Sequence, residues 1–387
     1  MISIASDLDS LRLETPAFVY DETLISQSLV KLREIAFRSG CKILYSLKAF
    51  TMIDALRLMS PSLDGFAASS LFEAELVRKF LTTTGTLHLT TPGLKSDEID
   101  KIADICDYIS FNSLTQWDVF HPRVGGQASC GVRINPQLSY VNDDRYDPCR
   151  ANSKLGIPLS LLVDAMTEVT TRFDQLRGLH FHNNCESASA GPLFETVSRV
   201  VSRLGAHLER LEWINLGGGY LYSELDSLEP LYHAVDLLTR NYDLEIFIEP
   251  GEAIIGKAGF VVSSVVDLFE SEGKEIAILD SSINHLPGVF AYQSRPVVKT
   301  ARNQGQYAYI LAGSTCLAGD IFGEYEFNYP LRIGSRVTFS GVGGYSLVKA
   351  NMFNGVNLPN IYSLNDGGLV LKKKYTLKDF LSRWESS

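Results

Sequence analysis

Eight short β-rich runs separated by helical patterns fill residues 43–250, and this alternation constrains the fold more than any other feature of the chain. The runs are Ile43–Leu47, Gly65–Ala68, Leu87–Thr91, Tyr108–Phe111, Gly131–Ile134, Gly178–His182, Trp213–Leu216 and Ile246–Glu249. Helical periodicity is expected between them, as over Ser70–Leu81, Pro158–Arg172, Pro192–Leu208 and Leu228–Asn241. A helix after each strand returns the chain so that successive strands pair in parallel. Eight such units predict a (β/α)8 TIM-like barrel. An open doubly wound sheet produces the same rhythm, and periodicity alone leaves both open.

After Pro250 the texture changes. Phe260–Val266, Ile276–Leu279, Tyr307–Leu311 and Arg336–Ser340 read as strands with no long helices between them, which predicts an antiparallel C-terminal β domain. The early run Ala17–Tyr20 is a candidate for that same sheet. The expected division is therefore residues 22–250 as the barrel and residues 1–21 plus 251–387 as the β-rich domain. A chain of 387 residues is long enough for both.

Composition excludes several classes of function. Hydrophobic residues make up 45% and charged residues 21%, the balance of a folded globular protein. No apolar run is long enough to cross a bilayer, and the N-terminus lacks the basic start and apolar core of a signal peptide. The six cysteines form no CxxC pair, so neither a zinc site nor a disulfide framework is expected, and the setting is read as cytoplasmic. No basic cluster suggests nucleic acid. A net charge of −10 serves solubility, and it also favours a cationic substrate.

In a barrel, chemistry gathers just past the C-terminal ends of the strands. Those positions hold Lys48 in YSLKAF, His182 in GLHFHNNCES, Gly217, Gly218 and Gly219 in INLGGGY, and Glu249 in IFIEPGEA. A lone lysine is usually solvated, and three glycines are usually a flexible turn. A lysine ending an apolar strand is different, because desolvation gives it the lowered pKa that carbonyl chemistry requires. Glycines let backbone amides approach a phosphate, a carboxylate can hold a protonated pyridine nitrogen, and an imidazole can lie flat on a ring. Together these four elements describe a pyridoxal 5'-phosphate site.

The motifs YSLKAF, NSKLGI, GLHFHNNCE, NLGGGY, IEPGEA, STCLAGD and FNGVNLP run in order through nearly the whole chain. By them the sequence resembles the fold-type III pyridoxal-phosphate enzymes, a group that includes alanine racemase, ornithine decarboxylase and diaminopimelate decarboxylase. The nearer resemblance is to the carboxynorspermidine/carboxyspermidine decarboxylase family. It implies that Lys48 carries the cofactor, His182 stacks on its ring, Gly217–Gly219 bind its phosphate and Glu249 pairs with its ring nitrogen. A carboxylate there keeps the ring protonated and able to accept electrons, which favours decarboxylation over racemisation. The resemblance also implies that Cys316 returns a proton to the α-carbon, that Asp320 lies near the substrate's distal amine and that Tyr345 reaches the phosphate. In the family these three come from the second subunit of a homodimer.

Glu252 stands where ornithine decarboxylase-like chains carry an arginine, and Leu317 where relatives using a short diamine acid carry an aspartate. Both departures turn the expectation away from ornithine, arginine and diaminopimelate. Arg295 is a candidate partner for the substrate carboxylate, although such an arginine more often forms ion pairs at a surface or interface. Glu186 and His285 are further pocket candidates, each equally readable as a structural residue. The expected reaction is loss of CO2 from carboxynorspermidine, carboxyspermidine or carboxyaminopropylagmatine. The rivals are a diaminopimelate or ornithine/arginine decarboxylase, and a non-catalytic regulatory homologue. Against the latter, Lys48, Glu249 and Cys316 are all present.

Overall fold

The structure is a computed structural model, described over residues 12–81, 85–168 and 170–385. It divides into two compact units, residues 27–253 and residues 1–26 plus 254–387. The sequence-based expectation places the division at residues 22–250 and residues 1–21 plus 251–387. Residues 1–11, part of the segment expected in the β-rich domain, lie outside the described residues.

The unit of residues 27–253 is a closed parallel barrel. Strand β1 (Ala17–Asp21) precedes it. Its staves are β2 (Lys42–Ser46), β3 (Gly65–Ala68), β4 (Thr86–Thr91), β5 (Tyr108–Phe111), β6 (Ser129–Asn135), β8 (Gly178–His180), β9 (Trp213–Asn215) and β10 (Glu245–Ile248). Each pairs in parallel with the next, β5 joins β6 and β10 returns to β2, so the ring closes. This excludes the open doubly wound sheet. The two-residue strand β7 (Ile157–Pro158) is a parallel addition to the end of β6.

The helices begin where the sequence caps them. Ser70 Oγ accepts from Glu73 N at 3.2 Å ahead of the helix Leu71–Phe80. Ser113 Oγ accepts from Gln116 N at 3.1 Å ahead of Leu114–Val124. Each is a Ser-x-x-Glu/Gln pattern in which a hydroxyl satisfies a backbone donor that the first turn leaves free.

The barrel's N-terminal end is filled by aromatic rings. The indole of Trp213 lies against Gly131 and Gly178, where a Cβ on Gly178 would come within 2.1 Å of it. Tyr108 stacks on His88 at 4.1 Å, and Phe247 closes the group edge-on. Tyr45 and Phe66, which alternate with the inward-facing Leu44 and Ala67, meet edge-to-face at 6.5 Å on the outer face of the strands.

The other unit is a nine-stranded sheet. Its strands are β1 with β11 (Gly259–Ser271), β12 (Lys274–Leu279), β13 (Val297–Val298), β14 (Tyr307–Ala312), β15 (Ile321–Phe327), β16 (Arg336–Ser340), β17 (Asn360–Asn365) and β18 (Gly368–Lys373). The N-terminal strand β1 does join this sheet, between β11 and β17. The first half of β11 pairs with β1 and β16, and after an irregularity at Val265/Asp267 its second half pairs with β12. The sheet is mixed where sequence texture predicts an antiparallel one. The pairs β1–β17 and β12–β14 are parallel, because long connections carry the chain back in the same direction. Ala17, Val19, Phe260, Val262, Tyr362 and Leu364 form the sheet's apolar core.

Candidate active site

A cavity of ≈ 300 Å³ lies within the barrel unit, a size suited to a small cofactor. Lys48, Arg133, His180, His182, Cys185 and Glu249 line it, together with residues 145–148 of the loop after β6.

Lys48 does not end the strand itself. Strand β2 stops at Ser46, and a 3₁₀ turn, Leu47–Ala49, carries the lysine. Leu47 and Ala49 are fully buried, Phe50 N donates to Leu47 O at 3.1 Å, and Ser46 N donates to Pro250 O at 3.2 Å. The backbone on either side of Lys48 is thus anchored, and its side chain lines the cavity. Enclosure pulls the amine below its ordinary pKa, Glu249 opposes that and Arg133 adds to it. Its Nζ makes no hydrogen bond or ion pair among the described residues.

Glu249 is the first residue past β10 and is 7% exposed. Its Oε1 accepts from Asn215 Nδ2 at 2.7 Å. Burial raises its pKa, while Lys48, Asn215 and Arg133 lower it.

His182 lies two residues beyond β8. Its Nδ1 accepts from Gly218 N at 3.0 Å, so the neutral ring carries its hydrogen on Nε2. Burial, then Lys48 and Arg133, hold its pKa well below the usual histidine value.

The glycine turn is committed in detail. Gly217 N donates to Asn215 Oδ1 at 2.9 Å and Gly218 N to His182 Nδ1, which leaves Gly219 N as the amide of the three without a partner. Gly219 has φ +89°, and a Cβ there would come within 2.0 Å of Asn184 O. Only glycine fits.

Lys48, His182 and Glu249 therefore share one cavity, with the glycine turn against His182. Glu186 follows Cys185 but is exposed and does not line the cavity. The remaining sequence candidates belong to the β-sheet unit. Cys316 is exposed, and its N donates to Asn354 Oδ1 at 2.8 Å. Asp320 is 3% exposed and already accepts from Ile283 N at 2.8 Å, Thr315 N at 3.0 Å and Thr315 Oγ1. His285 is buried, its Nδ1 accepts from Ser282 N at 3.3 Å, and burial drops its pKa to about 4 despite Asp320. Arg295 donates to Glu324 O and lies over the Tyr325 ring at 4.4 Å. Tyr345 takes a left-handed φ of 57°, and Lys349 Nζ stands 5.0 Å from its ring.

Sequence reading missed Arg133, His180 and Asn215. Each lies inside a run read as apolar strand, and a charged or amide side chain in such a run was the available signal. Arg133 Nε and His180 Nε2 are buried with no hydrogen-bond partner among the described residues. Unsatisfied polar atoms around an enclosed amine and a buried carboxylate fit a small polar cofactor with an aldehyde, a phosphate and a basic ring nitrogen.

Comparison with known proteins agrees. Residues 17–343 match the family model of the pyridoxal-dependent decarboxylases, C-terminal sheet domain. The carboxynorspermidine/carboxyspermidine decarboxylase of Herminiimonas arsenicoxydans is 34% identical over 374 residues, which cover 96% of this chain and 99% of that protein. The carboxyaminopropylagmatine decarboxylase of Synechocystis sp. is 33% identical, covering 96% of this chain and 95% of its own. The crystal structure of carboxynorspermidine decarboxylase complexed with norspermidine from Campylobacter jejuni superposes with a TM-score of 0.87 at 31% identity, covering 96% of this chain and 100% of that one. The chain belongs to the pyridoxal-dependent decarboxylase family, and its cofactor is pyridoxal 5'-phosphate.

Proposed function

We propose that this enzyme removes CO2 from a carboxylated polyamine precursor: carboxynorspermidine, carboxyspermidine or carboxyaminopropylagmatine. The observation that carries the reading is that Lys48 and Glu249 line one cavity, in a chain aligned over 96% of its length with enzymes named for those substrates.

Bound in the cavity, pyridoxal phosphate supplies the sink for the electron pair left when CO2 departs. Lys48 holds it through an amine whose enclosure favours the neutral, nucleophilic form. Glu249 holds a proton at the ring nitrogen, and Asn215 keeps the carboxylate oriented. His182 packs against the ring, aligned by Gly218. The Gly219 amide anchors the phosphate, with Tyr345 as a second donor. Cys316 delivers a proton to the α-carbon. Asp320 Oδ1, which accepts one hydrogen bond within the fold, has capacity left for the substrate's distal ammonium. Arg295, His285 and Glu186 stay at the margin of this reading, the first two because their side chains already serve the sheet unit. Cys316, Asp320 and Tyr345 act across a homodimer, and the enzyme works in the cytoplasm.

CO2 release from the cofactor-loaded protein tests the proposal, with carboxynorspermidine, carboxyspermidine, carboxyaminopropylagmatine and meso-diaminopimelate compared by kcat/KM. Preference for one of the first three supports it and names the substrate. Turnover of diaminopimelate alone overturns the substrate class, and no turnover of any points to a regulatory role. Carboxynorspermidine and carboxyspermidine differ by one methylene, so their ratio should stay within about 200-fold. Cys316→Ala should lower kcat about a hundredfold. Full activity in that variant removes Cys316 from the mechanism.

A further inference from the structure

Among the described residues, two buried polar atoms of the cavity wall, Arg133 Nε and His180 Nε2, are used neither by the fold nor by the roles above, and the second faces a residue with an assigned role. His180 is the last residue of β8, 2% exposed, with Nδ1 3.2 Å from Thr90 Oγ1. Its Nε2 has no hydrogen-bond partner and stands 3.8 Å from Glu249 Oε2. Asn215 serves only the other oxygen, Oε1. With the Thr90 hydroxyl donating to Nδ1, the neutral ring carries its hydrogen on Nε2, the atom that faces Glu249.

The ring's surroundings fix its charge state. Arg133 on β6, His182 beyond β8, Lys48 after β2 and His88 on β4 all oppose its protonation, and burial opposes it more strongly. Glu249 is the acidic group near it. A neutral imidazole 3.8 Å from Glu249 Oε2 can thus offer it a donor, after a small approach, without bringing a competing charge.

We propose that His180 is a positioning residue for Glu249: it gives the carboxylate a second donor, keeps it ionised and fixes the angle at which it meets the cofactor's ring nitrogen. The inference rests on the reading that Glu249 partners that nitrogen. It assigns the two oxygens of Glu249 separate supports, Asn215 for Oε1 and His180 for Oε2. A carboxylate tied at one oxygen can swing about that contact, whereas one tied at both cannot.

The test compares the wild-type holoenzyme with His180→Phe and His180→Gln. Absorbance of the bound cofactor is followed against pH, and the cofactor dissociation constant is measured by fluorescence. In His180→Phe, Glu249 takes up a proton more readily, so the acid-side midpoint should rise by about one pH unit and cofactor binding should weaken about tenfold. His180→Gln places an amide donor near the position of Nε2 and should restore both. If the phenylalanine variant does not fold, His180→Asn replaces it, because its shorter amide reaches Thr90 but not Glu249. An aromatic or asparagine variant that titrates and binds like wild type overturns the proposal, as does failure of glutamine to restore. Cofactor binding and titration that survive Glu249→Gln unchanged from wild type overturn the underlying reading of Glu249 and this proposal with it.

Discussion

At the N-terminal end of the barrel, Trp213 Nε1 donates to Ser129 Oγ at 2.8 Å and His88 Nε2 lies 3.0 Å from Thr86 Oγ1. Tyr108 Oη donates to Glu245 Oε2 at 3.2 Å, and Lys42 pairs with the same carboxylate. At the C-terminal end, Lys48 Nζ, Arg133 Nε and His180 Nε2 have no hydrogen-bond partner among the described residues. One ring of strands thus carries a satisfied aromatic plug below and unsatisfied polar groups above. Burying a polar atom without a partner costs about 1–3 kcal/mol. The lower end supplies the packing that lets the upper end carry that cost, and the unsatisfied groups mark where a ligand belongs.

The sharpest way to break this contrast is Lys48→Ala. It should reduce CO2 release by more than about a thousandfold while the apo-protein melts at or above the wild-type temperature, because an enclosed amine has been removed. A large fall in melting temperature would mean that the upper end also stabilises the fold. Gly178→Ala does the reverse. Its methyl group meets the Trp213 indole, so denaturant unfolding should show a loss of about 3 kcal/mol, with kcat per folded molecule retained.

His88 gives the lower end a pH signature. Burial, aided by Lys42, lowers its pKa from 6.5 to about 3. Between those values the unfolded chain binds the proton and the folded one does not. Its neutral-state stability is therefore complete above pH 6.5 and is lost as pH falls toward 3. The loss reaches about 2 kcal/mol at pH 5. Unfolding free energy measured from pH 7 to 4 should fall less steeply in His88→Phe than in wild type. The smallest effect is expected from Lys42→Met. Its ion pair with Glu245 is half-exposed, so removing it should change stability by less than about 1 kcal/mol.

The same contrast explains what the sequence disclosed. Gly65–Ala68 and Tyr108–Phe111 are read to the residue, because apolar runs bounded by turn and cap residues follow directly from period and punctuation. Lys48 and Glu249 are legible because they interrupt apolar texture at strand ends, where barrel chemistry gathers. Arg133, His180 and Asn215 are not legible in this way. They lie within strands, and only closure of the barrel turns them toward a common cavity. The parallel pairings of β1 and β14 escape sequence reading for a related reason, since strand texture carries no record of which distant strand becomes the neighbour. Asp320 is legible as an acidic group beside Cys316, but its three hydrogen bonds to Ile283 and Thr315 are a product of loop closure.

The Gly219 amide has a consequence for how this enzyme can change over generations. A donor on the main chain is encoded by no particular side chain, so among single-codon changes only proline deletes it. Any larger residue at 219 would clash with the main-chain carbonyl of Asn184, which no change of that neighbour's side chain removes, so the glycine itself is held in place. In the proposed role, as a donor with a grip on the cofactor's phosphate, this amide would therefore be hard to lose by drift and hard to tune by selection. Substrate preference, resting on side chains elsewhere, is left free to diverge while that grip stays fixed.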